Sequence, residues 1–381
     1  MNRKTFLILI ALLVVLGGAG LALFWQDLST WRRADVKVGS KVLDQLPVND
    51  VARIRLVDGK GEATLALKDG HWAVAQRGDY SASVQDIGEL LAKLPDLKVV
   101  QTENVPESFL QRLELLEPGK DAKSGAGTRL ELSDKSGKLL ASLLLGKQVI
   151  KIEDSPLPIK PQTAVGRYIL APGSPAVLVV SDALKNAEAR PERWLAKDFF
   201  KAERIRSLSA GADGAPWKIA RDEEYGEWKF ASGDGALDSS AAVAAVNALG
   251  SLAFSDVAPG VKAESFKQPR VITAETFDNL TYAITIASKP GGGDYYLSFA
   301  VSGAPPRERQ PERGEKPEDK ERLAKEFAEN LKKLDERIKR ETSLAGWTFL
   351  VAGKTLEPLL RERAALIAAK RPDDKSSGQP H

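Results

Sequence analysis

The chain contains two successive copies of one order of elements, and this internal repetition limits the possible folds more than any other feature. The stretch "RIRLVDGKGEATLALKDGHWAV" begins at Arg53, and "RIRSLSAGADGAPWKIARDEEYGEWKF" begins at Arg204. Both open with an alternating apolar strand and a glycine-containing turn, and both end in a second strand with a Gly-x-Trp tripeptide. We therefore expect each copy to start with antiparallel β-hairpins.

A helical pattern follows each hairpin. The stretches are "SVQDIGELLAKL" from Ser83 and "SSAAVAAVNALGSL" from Ser239, with apolar residues at helical spacing. Ser83, Asp238 and Ser239 are residue types that cap helix N-termini. We predict one helix per copy, ending at Pro95 and Gly250, each followed by an extended segment, "LKVVQTENV" or "LAFSDVAPG".

The last part of each copy is predicted as a hairpin followed by a strand, a break and a helix. The hairpins are "TRLELSDKSGKLLASLLLG" and "LTYAITIASKPGGGDYYLSFAVSG". The segment "GRYILAPGSPAVLVVSDALKNA" from Gly166 is matched with "GWTFLVAGKTLEPLLRERAALI" from Gly346. This match places an insertion before the last element of the second copy.

The insertion covers about residues 305–341 and is densely charged. Its proline-rich first half is predicted to lack regular structure, and its second half to be a helix with Glu321–Lys325 and Glu329–Lys333 pairs. One face of that helix carries an apolar stripe, formed by Leu323, Phe327, Leu331, Leu334 and Ile338. The stripe either packs on its own domain or binds a partner, and we consider its five residues candidate partner-binding residues.

The N-terminus carries an uncharged apolar run over residues 6–25, preceded by Arg3 and Lys4. As a helix it spans about 30 Å, the thickness of the hydrocarbon core of a bilayer. We predict an uncleaved transmembrane anchor with a cytoplasmic N-terminus. A cleaved signal peptide is the alternative, because Gly20 and Ala22 are small residues at the spacing that a signal peptidase reads.

The predicted fold class is α+β: two tandem repeated modules of antiparallel β-hairpins and helices behind an N-terminal transmembrane helix. The anchor takes residues 1–30, the first module 31–202 and the second module 203–372, with a polar tail at 373–381. A chain of 381 residues is long enough for two such modules.

The composition removes several classes of chemistry. The chain has no cysteine, which excludes disulfides, thiolate nucleophiles and cysteine-ligated metals, and its net charge of +3 does not favour nucleic acid as a partner. Only two histidines occur, His71 and the terminal His381. Glu227 replaces His71 in the second copy, so we interpret His71 as an exposed strand-end residue. We predict no catalytic residues, no metal and no cofactor.

Two further patterns are weak. Gly353, Lys354 and Thr355 resemble the end of a phosphate-binding loop, but Thr348 stands where that motif needs its first glycine. Acidic neighbours such as Glu223 and Glu224 are more typical of solvated loops than of a glycosidase pair.

The fold-forming segments resemble a known bacterial family. The anchor, "DGHWAV" or "YGEWKF", "GRYILAP", "VLVVSDAL" and "ERWLAKDFF" are similar to the domain-of-unknown-function family 4340. The resemblance implies a membrane-anchored protein whose gene accompanies an ABC-type permease, its ATPase and a gliding-motility-type auxiliary protein. It supplies no functional residues.

From the resemblance we expect a non-enzymatic accessory or scaffold protein of an ABC-type transport or surface-assembly system. It would be held in the bacterial inner membrane by a single span, with the bulk of the chain in the periplasm. The alternative is a periplasmic binding module for an envelope glycan, peptide or lipid. Aromatic candidates for such a ligand site are Trp217, Tyr225, Tyr295 and Tyr296.

Overall fold

The computed structural model describes residues 37–119, 124–153, 160–171, 176–211, 216–311 and 315–368. The predicted anchor at residues 6–25 and the tail at 373–381 lie outside these ranges. Within them, no helix combines the length and the apolar character needed to cross a bilayer. The chain divides into two compact units, Met1–Ala196 and Lys197–His381.

The first unit is built on a nine-stranded antiparallel sheet with the order β4-β3-β2-β1-β6-β7-β8-β9-β5. Consecutive strands of the chain are mostly neighbours, and only β5 lies far from the strands that flank it in sequence. The strands are β1 (Arg53–Val57), β2 (Glu62–Lys68), β3 (His71–Val74), β4 (Tyr80–Ser81), β5 (Val99–Glu103), β6 (Thr128–Ser133), β7 (Leu139–Ile152), β8 (Gln162–Leu170) and β9 (Val177–Val180).

The hairpins that open this unit form as the alternation predicts. Ile54 and Leu56 in β1 are fully buried while their neighbours face outward. Asp69 and Gly70, which join β2 to β3, both have positive φ, as a two-residue hairpin turn of type I′ requires. The predicted strand, turn and strand arrangement is therefore confirmed.

The predicted helix of the first unit is also confirmed, as α1 (Val84–Lys93). The Ser83 hydroxyl accepts a hydrogen bond from the backbone N–H of Asp86 at 3.2 Å, which caps the helix. Ile87, Leu90 and Leu91 form its buried face. A four-residue helix, α2 (Glu107–Leu110), follows β5.

The second unit is built on an eight-stranded antiparallel sheet with the order β12-β11-β10-β14-β15-β16-β17-β13. Its helices are α3 (Ser239–Gly250), α4 (Lys320–Leu344) and α5 (Gly353–Leu356). Asp238 caps α3 by accepting from the N–H groups of Ser240 and Ala241. The strands are β10 (Ile205–Gly211), β11 (Trp217–Ala220), β12 (Lys229–Phe230), β13 (Asp256–Val257), β14 (Arg270–Thr276), β15 (Leu280–Ser288), β16 (Asp294–Gly303) and β17 (Phe349–Ala352).

The two sheets have the same strand order, apart from the additional edge strand β4 of the first unit. In each, three antiparallel strands lead into a capped helix, α1 or α3. The strand after that helix, β5 or β13, lies at the far edge of the sheet. The next four strands of the chain fill the space between this edge strand and the first strand of the unit, β1 or β10.

The strand order changes which segments of the two units correspond to each other after α1 and α3. The predicted hairpins are present as β6–β7 and β15–β16, but β6 neighbours β1 whereas β14 separates β15 from β10. The sequence reading omitted β14. Likewise Gly166 lies within β8, whereas Gly346 precedes β17, which has the position of β9.

The predicted helix at "VLVVSDAL" is wrong, because Val177–Val180 is a strand with all four residues buried. It lies between β8 and β5, where both faces are covered, so the apolar run has no alternation that would mark it as a strand. In the second unit β17 is followed by the short helix α5, as expected.

An aromatic cluster forms part of the core of the second unit. Phe199 lies 4.7 Å, centroid to centroid, from Phe349, and Phe200 lies 4.3 Å from Phe299. Phe199 and Phe200 thus belong to the second compact unit, which begins at Lys197.

Candidate functional site

The charged insertion forms α4, a 25-residue helix in the connection between β16 and β17. The predicted helical second half of the insertion is therefore confirmed, and the helix continues to Leu344. Only one of its residues, Glu341, is buried. The predicted apolar stripe is half-buried along its whole length, at Leu323, Phe327, Leu331, Leu334 and Ile338.

Glu341 fixes the C-terminal end of α4 to the sheet of the second unit. Its side chain is 1% exposed. One carboxylate oxygen accepts from the backbone N–H of Lys201 at 3.0 Å, and the other accepts from the Tyr282 hydroxyl at 2.9 Å. Because a buried carboxylate is stable only when its oxygens have donors, these contacts determine where the helix ends against β15.

Arg337 supplies positive charge one turn before Glu341. Its Nη1 donates to Glu203, and its Nε lies 3.8 Å from a Glu341 oxygen. Burial, together with the negative charge of Glu341, raises the pKa of Tyr282 above its ordinary value. Tyr282 therefore stays a neutral donor to Glu341 at physiological pH.

The segment before α4 has one ion pair to the helix and one within itself. Arg307 donates to Asp335 at 2.7 Å, and Arg309 forms a two-nitrogen contact with Glu315. On the exposed face the predicted Glu321–Lys325 pair is present at 2.9 Å. The predicted Glu329–Lys333 pair is absent among the described ion pairs. A further pair of the same spacing joins Arg322 and Glu326.

A cleft of about 1040 Å³ lies between α4, the segment 305–310 and the turn at 277–279. Phe327, Leu331 and Leu334 line it, so the structure brings three of the five stripe residues together on one wall. Leu323 and Ile338 do not line it. Charged side chains at the opposite wall are already paired, as Arg204 is with Glu224 at 2.8 Å.

His71 lies outside any such site. It is the exposed first residue of β3, and its Nδ1 is 3.0 Å from the backbone oxygen of Asp69. The predicted exposed strand-end position is confirmed. The adjacent Trp72 is only half-buried, whereas Trp228 is 8% exposed, so the tryptophan is a core residue in the second unit alone.

The remaining sequence candidates are dispersed over the second unit. Gly353 starts the four-residue helix α5, and a Cβ there would come within 2.9 Å of the Gly293 oxygen, which explains the glycine by close packing. Trp217 is 3% exposed and donates to the Arg361 carbonyl, whereas Tyr225 is 94% exposed. Tyr296 stacks on Phe266. Buried Trp217 is thus unavailable to a ligand.

The site residues that the sequence reading missed are Glu341 and Tyr282. A tyrosine at an inward position of the alternating strand "LTYAITIA" was the available signal, because a buried hydroxyl needs a partner. Across the described ranges no group of three or more histidine, aspartate or glutamate side chains is placed to hold a metal.

Comparison with known proteins gives one match. A family profile described as a domain of unknown function, DUF4340, matches residues 72–270, from β3 of the first unit to the start of β14 in the second. No curated protein and no solved structure matches the chain. Since the profile covers more than half of the 381 residues, the chain belongs to the DUF4340 family.

Proposed function

We propose that this protein is a non-enzymatic accessory subunit of an ABC-type transport or surface-assembly system of the bacterial envelope. Residues 6–25 anchor it in the inner membrane, and the two units lie in the periplasm. The partner is the permease, with the gliding-motility-type auxiliary protein as a further member of the assembly. The observation that carries the proposal is the half-buried apolar stripe of α4.

Three features of α4 support a role in binding a protein. Its C-terminal end is held by the buried Glu341, so the helix has a defined position before any partner binds. The stripe retains apolar surface that a partner would remove from water, at about 25 cal/mol per Å². Charged residues flank the stripe, as is typical of the rim of a protein interface.

We also propose that the two units are repeats of one module, which would make the protein a tandem scaffold. The shared strand order supports this, because two unrelated antiparallel sheets have many alternative orders available. The insertion α4 distinguishes the copies, since β8 and β9 are joined by residues 171–176 alone whereas residues 304–348 join β16 to β17. The second module is therefore the one specialised for a partner.

Site-specific photo-crosslinking in cells tests the partner surface. A crosslinking amino acid at Leu331 or Leu334, on the stripe, should give an adduct with the permease. The same amino acid at Glu329 or Glu336, which are exposed on the opposite face, is the matched control and should give none. Equal adducts from both faces, or a permease adduct from neither, would contradict the assignment of α4 as the partner surface.

A further inference from the structure

Arg167 is a buried arginine in the middle of β8 of the first unit. Its side chain is 9% exposed. Nε donates to the backbone oxygen of Gly146 at 2.7 Å, and Nη1 donates to that of Leu184 at 3.2 Å. Nη2 has no hydrogen-bond partner among the described residues, and this nitrogen is not fully buried. Its N–H groups therefore face space that a ligand can enter.

The local backbone is shaped to accept this side chain. The β7–β8 register shifts between Leu145 and Gln148, a bulge that turns the Gly146 carbonyl toward Arg167. Gly146 and Gly166 leave no room for a Cβ, which would lie 2.5 Å from a backbone oxygen in each case. Leu184 has a positive φ of 44° and presents its carbonyl to Nη1. Such a conformation costs energy in a leucine and is typical of functional sites.

Arg167 lines a pocket of about 560 Å³ in the first unit. The β1–β2 turn forms one side and residues 185–192 the other. The three carboxylates around it already accept hydrogen bonds, and two of them are paired with an arginine. Asp58 accepts from the N–H groups of Lys60 and Gly61, Glu188 accepts from Arg190 at 2.7 Å, and Glu192 accepts from Arg77 at 3.3 Å.

Arg190 is the one lining cation that pairs with a carboxylate among the described residues, and the other three cations of the pocket have no such pair. Lys60 and Lys185 line the pocket and are exposed, and neither has a carboxylate within ion-pair distance among the described residues. Burial lowers the pKa of Arg167 to about 10, and the negative charges of Glu114 and Glu188 offset this only in part. At neutral pH the guanidinium is still charged, so the pocket keeps a surplus of positive charge that only an anion would balance.

We propose that this pocket binds the phosphate group of a phosphomonoester. The free edge of Arg167 provides charge-assisted donors at the base of the pocket, and Lys60 and Lys185 provide two ammonium groups at its rim. Asp58 is bonded to uncharged N–H groups and offsets one of these three cations, so a surplus of two positive charges remains. Two positive charges match a phosphate dianion better than they match a monoanionic carboxylate. The volume exceeds what inorganic phosphate fills, which leaves room for the organic part of the ester.

The ester has two possible sources, a free small molecule or a lipid headgroup, and the test separates them. The full chain is reconstituted in nanodiscs of phosphatidylcholine and titrated with glycerol 3-phosphate, with inorganic phosphate and with acetate at constant ionic strength. A parallel sample contains phosphatidic acid in the nanodisc, and thermal unfolding of the protein is followed in both. Binding of the soluble ester indicates a free ligand. Stabilisation by phosphatidic acid alone indicates a headgroup.

Variants locate the binding. We expect Arg167→Met to weaken the phosphate-dependent signal by at least about tenfold, equivalent to about 1.4 kcal/mol. The double variant Lys60→Ala/Lys185→Ala changes only exposed side chains, so it should fold normally and weaken the signal about fivefold. Lys138→Ala, in the β6–β7 turn outside this pocket, is the matched control and should change nothing.

The proposal is overturned by either of two results. One is that neither glycerol 3-phosphate nor phosphatidic acid binds or stabilises the full chain. The other is an effect without the expected specificity, either undiminished in Lys60→Ala/Lys185→Ala or matched by acetate.

Discussion

At the scale of single residues, each unit contains a charged side chain that its sheet buries. Glu341 in the second unit has two donors, the Lys201 N–H and the Tyr282 hydroxyl. Arg167 in the first has two carbonyl acceptors and a free edge toward a pocket. The difference separates their roles, because a fully satisfied group stabilises an element whereas a partly satisfied one is available to a ligand.

Glu341→Ala should destabilise the second unit by about 3 kcal/mol, because it removes the acceptor of the Lys201 N–H and leaves the Tyr282 hydroxyl only the long contact to the Lys201 carbonyl. Glu341→Gln keeps one acceptor oxygen and should cost about 1 kcal/mol. Urea unfolding followed by tryptophan fluorescence measures both. Equal costs for the two variants would show that the carboxylate contacts do not hold the helix.

The same contact predicts a dependence on alkaline pH. The pKa of Tyr282 is raised in the folded state, so the neutral tyrosine contributes its full stabilisation at pH values below 10.0, the ordinary pKa of tyrosine. That stabilisation is lost as the pH rises above this value toward the folded-state pKa. The urea midpoint of the unmodified protein should therefore fall more steeply above pH 10 than that of Tyr282→Phe. Parallel decreases in the two proteins would contradict this.

Gly166 is predicted to be intolerant of any side chain. A Cβ there would lie 2.5 Å from the Val180 carbonyl oxygen, so Gly166→Ala should cost about 2 kcal/mol or more. The control is Gly88→Ala in α1, where no atom lies within 4 Å of the added Cβ. It should stabilise the unit by about 0.5 to 1 kcal/mol, since alanine is the better helix former. Thermal unfolding compares the two, and a stable Gly166→Ala variant would contradict the packing described for β8 and β9.

Residue-level chemistry was the part that sequence predicted least well. The exposed position of His71 was predictable, because the similar stretch "YGEW" keeps the glycine and the tryptophan and has glutamate in place of the histidine. Arg167 and Glu341 were not identified. The burial of Arg167 depends on a bulge and that of Glu341 on a hydroxyl distant in sequence, and neither leaves a periodic pattern in the sequence. The one signal for Arg167 is an arginine within the otherwise apolar "VGRYIL".

At the scale of elements, local patterns predicted the hairpins and capped helices. β1, β2 and β3 follow from alternation and turn chemistry, and α1 follows from its cap and its apolar face. β9 was misread because a strand covered on both faces loses its alternation. The burial of the α4 stripe was not predictable, since amphipathicity indicates an apolar face and not what covers it.

The insertion α4 should be dispensable for the second sheet. A variant in which a short turn replaces residues 305–344 should keep strands β14 to β17 paired. It is combined with Tyr282→Phe, because the hydroxyl loses Glu341 and keeps only the 3.4 Å contact to the Lys201 carbonyl. The basis is the first unit, where residues 171–176 are enough to connect β8 to β9. Hydrogen exchange of β15 and β16 amides provides the readout. Loss of their protection would show instead that α4 is an integral part of the fold.

At the scale of the whole molecule, the two units have one strand order and different additional features. The first holds the pocket at Arg167, and the second holds α4. In the proposed arrangement the anchor brings both to the periplasmic face of the inner membrane, where α4 contacts a permease and the pocket receives a phosphate ester. Each role has its own residues, so each can be removed separately.

The central claim is that α4 binds an ABC-type permease, and co-purification of the full-length protein from membranes in mild detergent tests it most directly. The comparison is between the unmodified protein and Phe327→Ser/Leu331→Ser, with Glu329→Ser as the control on the exposed face. We predict that the permease is recovered with the unmodified protein and the control, and is lost from the double variant while its thermal unfolding stays unchanged. Equal recovery with all three proteins, or with none, would contradict the claim.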